Sequence, residues 1–161
     1  IFTTPTPQAT ILGGKFLAVG LTVVVQMTAL FSLGKIIFGI NWGAALPLSV
    51  VTLGVVLAAS SFGIFLMSLL RNVKQSATIF GGVITATGML GMIKVFTMGA
   101  ANAAWADTVS LFVPQGWAAR GLLQLMNGAT LTQILPTCGV LAAMSVVFFA
   151  IGVLRFQKRY A

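Results

Sequence analysis

Histidine is absent from this 161-residue chain, and Asp107 is its single carboxylate. Those two gaps exclude a Ser-His-Asp triad, paired-carboxylate chemistry and any ordinary His/Asp/Glu metal site within the chain. The lone Cys138 has no intrachain disulfide partner and, set in an apolar stretch, reads as a small packing residue. A GxxxxGK[ST] phosphate loop is missing too, so any nucleotide hydrolysis that drives this protein belongs to another chain. The opening lacks the early positive charge of a secretory signal, because Lys15 is the first charge, behind "IFTTPTPQATILGG". With no starting Met and two prolines in that stretch, the opening reads as the inside of a loop in something longer. Alternation of apolar and polar residues is also lacking, which sets aside a membrane β-barrel.

What the chain does have is oil. Hydrophobic residues make up 58% of it and charged ones 6%, with a mean hydropathy of +1.07, a composition that belongs in a bilayer rather than around a soluble core. The net charge of +8 is scattered singly between apolar runs, which fits the positive-inside bias better than a nucleic-acid surface. A Lys or Arg at the bilayer centre costs about 3 kcal/mol or more, so the charges divide the chain. They predict an all-α bundle with spans at about 16–40, 46–70, 77–95 and 132–154. In the first, Lys35 snorkels toward the interface, and "GINWGAALP" forms a short turn with Trp42 at the interface and Pro47 in the first turn of the next helix. Gly13 and Gly14 are expected to lead into the first span, and Pro136 to stand near the start of the last. The third span carries Gly81, Gly82, Gly88 and Gly91, small residues that let helices approach closely in lipid.

The region from about 102 to 128 is less oily and holds Trp105, Asp107, Pro114, Trp117 and Arg120. It predicts a re-entrant or interfacial element of two short helices parted at Pro114, not a crossing. Four spans place both ends on one side. Lys15, Arg71, Lys74, Arg155, Lys158 and Arg159 share that face, and Lys35, Lys94, Asp107 and Arg120 lie opposite. The richer face is expected to be cytoplasmic.

Uncharged polar groups inside the spans need partners, so they face other helices or an aqueous path. Thr22, Gln26, Thr28, Thr52, Ser60, Ser61, Thr85 and Thr87 are such groups. Interhelical hydrogen bonding is their commoner use; as a substrate path the candidates are Thr22, Gln26, Ser60, Ser61 and Thr85, with Gln26 foremost. Lys94 is expected to snorkel to water in preference to pairing with Asp107. The C-terminal "RFQKRY" reads as a stop-transfer flank.

The order of these features resembles the type-2 permeases of ATP-binding-cassette exporters. Thr4, Pro5, Gly14 and Lys15 match the segment that follows the family's cytoplasmic coupling helix, and Phe38, Gly39, Ile40, Trp42 and Gly43 match its "FG-(V/I)-x-WG" turn. Arg71, Asn72, Gln75 and Ser76 match the basic loop, and Pro114, Trp117, Ala118, Gly121, Leu122, Leu125 and Gly128 match the later "P-x-x-WA" segment. One departure stands out: where the family usually has a "GG" with prolines after this third span, the chain has "GMIKVFTMGAANAAW".

The resemblance implies a six-span permease of which this chain holds the last four spans. It also implies a second permease copy or paralogue, and cytosolic ATPase subunits that carry the ATP and Mg, so that the chain itself is no enzyme and holds no cofactor. Alternating access would export a lipid, drug, antibiotic or glycan across the plasma membrane. By the same resemblance Thr4, Pro5, Arg71 and Lys74 lie near the ATPase, and Pro114 and Trp117 at the outer gate. The competing reading is an ATP-independent channel or secondary carrier. Such proteins keep an intramembrane carboxylate or histidine, and no span here has one.

Overall fold

The computed structural model describes residues 8–70, 76–97 and 104–160. Six helices follow in order: α1 (Gln8–Phe38), α2 (Ala45–Leu69), α3 (Ser76–Phe96), α4 (Ala104–Ser110), α5 (Pro114–Met126) and α6 (Leu131–Tyr160). The described residues contain no strand. Four helices, α1, α2, α3 and α6, are long and apolar enough to cross a membrane. The two short ones, α4 and α5, occupy the stretch read from the sequence as re-entrant. The turn between them ends at Pro114, whose missing N–H and fixed φ suit the first position of a helix.

The first helix departs from expectation. Gly13 and Gly14 do not lead into α1 but lie inside it, and nothing stands within 4 Å of where their Cβ atoms would be. Glycine weakens a helix in water because the unfolded backbone is so free. The helical ladder nonetheless runs through the pair, as the first two turns of a 31-residue helix whose remainder is a continuous apolar run. The helix ends at Gly39, whose φ of +65° closes it, with the Ile40 N–H turning back to the Gly34 carbonyl at 3.2 Å. Trp42 does more than mark the interface. Its indole N–H donates to the Phe31 carbonyl at 3.0 Å and its ring packs edge-on against Phe31. Gly34 makes room for it, since a Cβ there would meet the ring at 2.7 Å.

The centre of the molecule is the pair α2 and α6. Gly54 of α2 meets Leu141 of α6, and Gly152 of α6 meets Ile64 of α2, so the two helices run parallel. Small residues at both contacts bring the backbones together, which is how helices associate where lipid removes the hydrophobic drive. Phe62, Phe65 and Phe148 stack at the far end of this seam. Pro136 stands near the start of α6, in its second turn, where it removes one backbone bond. The helix is capped at Thr130, whose N–H is held by the Gln133 side chain at 2.8 Å, half of a capping box.

α1 lies antiparallel on α2, with Gly20 against Ser60 and Val56. By contrast, α3 packs mainly on α4 and α5, and not on the α2–α6 pair. Parallel α2 and α6 require α6 to begin on the side where α3 ends, and the α4–α5 hairpin leaves and regains that side without crossing.

Candidate functional site

The α4–α5 hairpin is built around a turn that tolerates only glycine at one position. Gly116 sits against the backbone of Ser110, where a Cβ would lie 2.5 Å from the Ser110 carbonyl carbon. The Gly116 N–H donates to the Val113 carbonyl at 3.1 Å, and the Trp117 indole N–H ties α5 to the turn through the Leu111 carbonyl at 2.8 Å. From this tip α5 climbs along α2. Gly121 packs on Val51 and Thr137, and the end of α5 reaches the α1–α2 turn, where Gly43 lies against the Leu125 carbonyl. Gln124 accepts a hydrogen bond from Thr137 at 2.8 Å, fixing α5 to α6. A left-handed Gly128 then closes α5, with the Gly128 and Ala129 N–H groups donating to Leu125 and Gln124.

α3 touches the hairpin at its tip. A Cβ on Gly91 would stand 2.7 Å from both the Gln115 Cβ and the Gly116 nitrogen, so the α3–α5 approach depends on that glycine. Gln115 donates through Nε2 to the Thr87 hydroxyl at 2.9 Å. Its Oε1 is buried with no partner, a state that costs about 1–3 kcal/mol.

Two cavities flank α5. On one side a cleft of about 190 Å³ is lined by Val55, Ala58, Phe62 and Leu66 of α2, Ile84 of α3 and Leu141 of α6, with Pro114, Gln115 and Ala118 of α5 at the tip. It is almost wholly apolar. On the other side a vestibule of about 490 Å³ lies among α3, α4 and α5, and its polar lining includes Lys94, Asp107, Ser110, Arg120, Gln124 and Asn127. Lys94 forms an ion pair with Asp107, contrary to the expectation that it would snorkel alone. The hairpin returns α4 to the end of α3 and sets the carboxylate beside the ammonium. Both side chains remain about half exposed, so the pair adds little stability. Arg120 lies over the Trp117 ring, 5.3 Å from its centroid, a cation–π contact.

The residues singled out from the sequence fall into four groups. Pro114 and Trp117 meet at the hairpin tip. Ser60 and Ser61 are buried in the packing of α2, and the Ser60 hydroxyl has no hydrogen-bond partner. Thr22, Gln26 and Thr85 are exposed on α1 and α3, and Thr22 returns its hydroxyl to the Ala18 carbonyl of its own helix. None of Thr22, Gln26, Ser60, Ser61 and Thr85 lines the cleft or the vestibule. Thr4, Pro5, Arg71 and Lys74 lie outside the described residues. The sequence reading passed over Gln115 and Gly116, and it named Gly91 only as one of four small residues of the third span. A glutamine between a helix-starting proline and a glycine, "PQGW", was the available signal.

The family model for ABC-2 family transporter proteins matches residues 1–154. The chain is 30% identical over 118 residues to the linearmycin resistance permease protein LnrN of Bacillus subtilis (strain 168), an alignment covering 72% of this chain and 30% of that relative's length. No solved structure matches. The helical architecture, the crossing-capable spans and a family match over almost the entire length agree: the chain belongs to the ABC-2 family of transporter proteins, as part of an integral membrane permease.

Proposed function

We propose that this chain is the core of the membrane subunit of an exporter that moves amphiphilic molecules out of the cell by alternating access, driven by ATPase subunits on separate chains. The observation that carries the reading is the hairpin. Its tip stands between an apolar cleft and a polar vestibule without crossing the membrane, and it closes a path that a shift of α3 would open. An apolar cleft and a polar chamber on the two faces of one helix suit an amphiphile better than a highly charged solute. The name of the Bacillus relative, a resistance permease, supports outward transport of a drug or antibiotic among the lipid, drug, antibiotic and glycan classes.

In this reading the ends of the described chain face the cytoplasm of a plasma-membrane protein, following the excess of Lys and Arg there. Thr4, Pro5, Arg71 and Lys74 meet the ATPase, which holds the ATP and Mg. Pro114 and Trp117 form the outer gate with Gln115. Thr22, Gln26 and Thr85 lie on surfaces completed by the remaining spans or by a second permease copy, and Ser60 and Ser61 line the path only when α1 moves off the α2–α6 pair.

The test is transport of a fluorescent amphiphile in inverted vesicles that hold the full-length permease with the ATPase encoded beside it. ATP-dependent uptake that vanishes when the ATPase loses its catalytic carboxylate is the expected result. Uptake that ignores the ATPase and follows an ion gradient would overturn the reading in favour of a secondary carrier.

A further inference from the structure

The vestibule is charged as well as polar. Lys94 and Arg120 bring two cations to its wall and Asp107 one carboxylate, and Asp107 is already engaged with Lys94. Arg120 has no carboxylate partner among the described residues. Its guanidinium rests on the Trp117 ring, whose indole N–H is itself anchored to Leu111. The planar fork thus lies over the ring and, among the described residues, spends none of its donors on protein acceptors, the arrangement in which arginine recognises carboxylate and phosphate. Gln124 uses its Oε1 toward Thr137, which leaves its amide nitrogen unengaged. The chamber, about 490 Å³, is large enough for a head group, and the apolar cleft meets the opposite face of the same helix.

From this placement we infer that the vestibule is a binding site for the anionic head group, phosphate or carboxylate, of an amphiphile. Arg120 is its principal ligand, Trp117 the support that holds Arg120, and Lys94 a second cation released when the anion competes with Asp107. The inference rests on the exporter reading for its role in transport, and it narrows that reading to anionic cargo.

Equilibrium binding tests it without ATP. The full-length permease with its ATPase, in nanodiscs of zwitterionic lipid, is titrated with radiolabelled dodecyl phosphate, and dodecyl maltoside and inorganic phosphate serve as competitors. Arg120→Gln should weaken dodecyl phosphate binding about tenfold, the scale of a charge-assisted hydrogen bond. Asp107→Asn should tighten it about threefold by freeing Lys94 from an exposed pair. Opposite signs are the point of the design, because a variant that merely damages the fold weakens binding in both cases.

Unchanged affinity in Arg120→Gln, weaker binding in Asp107→Asn, or equal competition by dodecyl maltoside would overturn the site. Displacement by inorganic phosphate at the same concentration as dodecyl phosphate would overturn the assignment to an amphiphile. ATP-driven export with no charge selectivity sinks the site and leaves the exporter reading standing. Charge-selective binding without ATP-driven export does the reverse.

Discussion

Replacing Gly116 by alanine attacks the hairpin at its tightest point. The new Cβ would lie 2.5 Å from the Ser110 carbonyl carbon and closer still to its oxygen, whereas carbon atoms pack at about 3.5–4.0 Å. One strand of the turn must therefore retreat by about 1 Å. Both partners in the clash are backbone, so no rotamer change relieves it. The retreat strains two hydrogen bonds that define the turn, Gly116 to Val113 and Trp117 to Leu111, each worth about 1 kcal/mol. With the lost packing of Gly91 against the tip, the cost should reach about 2–4 kcal/mol, the range of a serious overpacking defect. The assay is the thermal midpoint of the full-length permease in detergent, followed by size-exclusion of the surviving fraction. Gly88→Ala is the control: it lies in α3 with nothing within 4 Å of the new methyl, and a helix-interior Gly→Ala should stabilise by about 0.5–1 kcal/mol. Ser110→Ala should not rescue Gly116→Ala, because the carbonyl remains. A wild-type midpoint in Gly116→Ala, or rescue by Ser110→Ala, would refute the reasoning.

Gly152→Ala drives a methyl to 2.9 Å from Ile64 and 3.3 Å from the Phe65 nitrogen, so it should cost about 1–3 kcal/mol at the α2–α6 seam; the same midpoint reads it, and no change would mean that the seam is looser than described. Trp42→Phe keeps an aromatic side chain but loses both the bond to the Phe31 carbonyl and the indole atoms that pack on Gly34, for an expected loss of about 1–3 kcal/mol. Gln115→Leu gives up one bond to Thr87 but also removes a buried, unpartnered oxygen. The midpoint should therefore move little while the passive leak of a fluorescent amphiphile changes. A large loss of stability with unchanged leak would place Gln115 in packing alone.

The spans were legible because charge is so expensive in lipid that it bounds the apolar runs: Lys35 and Lys94 stand in the last turns of α1 and α3, although α1 begins seven residues before Lys15. Pro114 marked the hairpin for a similarly local reason, its fixed φ and missing N–H. Gly13 and Gly14 misled, because a glycine pair costs only about 2 kcal/mol of helix propensity and the long apolar helix that follows carries the ladder through it. The fate of Lys94 was not legible. Snorkelling is the rule for an isolated helix, and only the return of α4 brings Asp107 within reach. Nor did any spacing disclose that Gly91, Gln115 and Gly116 meet, since that contact joins two helices through the re-entrant turn. The glycines of α3 look alike in sequence, yet a Cβ at Gly81, Gly82 or Gly88 meets open space and one at Gly91 meets α5.

The attachment of α3 carries a mechanical consequence. A 21-residue helix is a stiff rod about 31 Å long, and here its far end is fastened to the α4–α5 hairpin while the α2–α6 pair stands apart. A displacement at the Ser76 end would therefore be delivered to Gln115 and the vestibule wall as a lever delivers it, across most of the membrane's thickness. The seam of Gly54, Leu141, Ile64 and Gly152 serves as the fixed frame against which that lever turns.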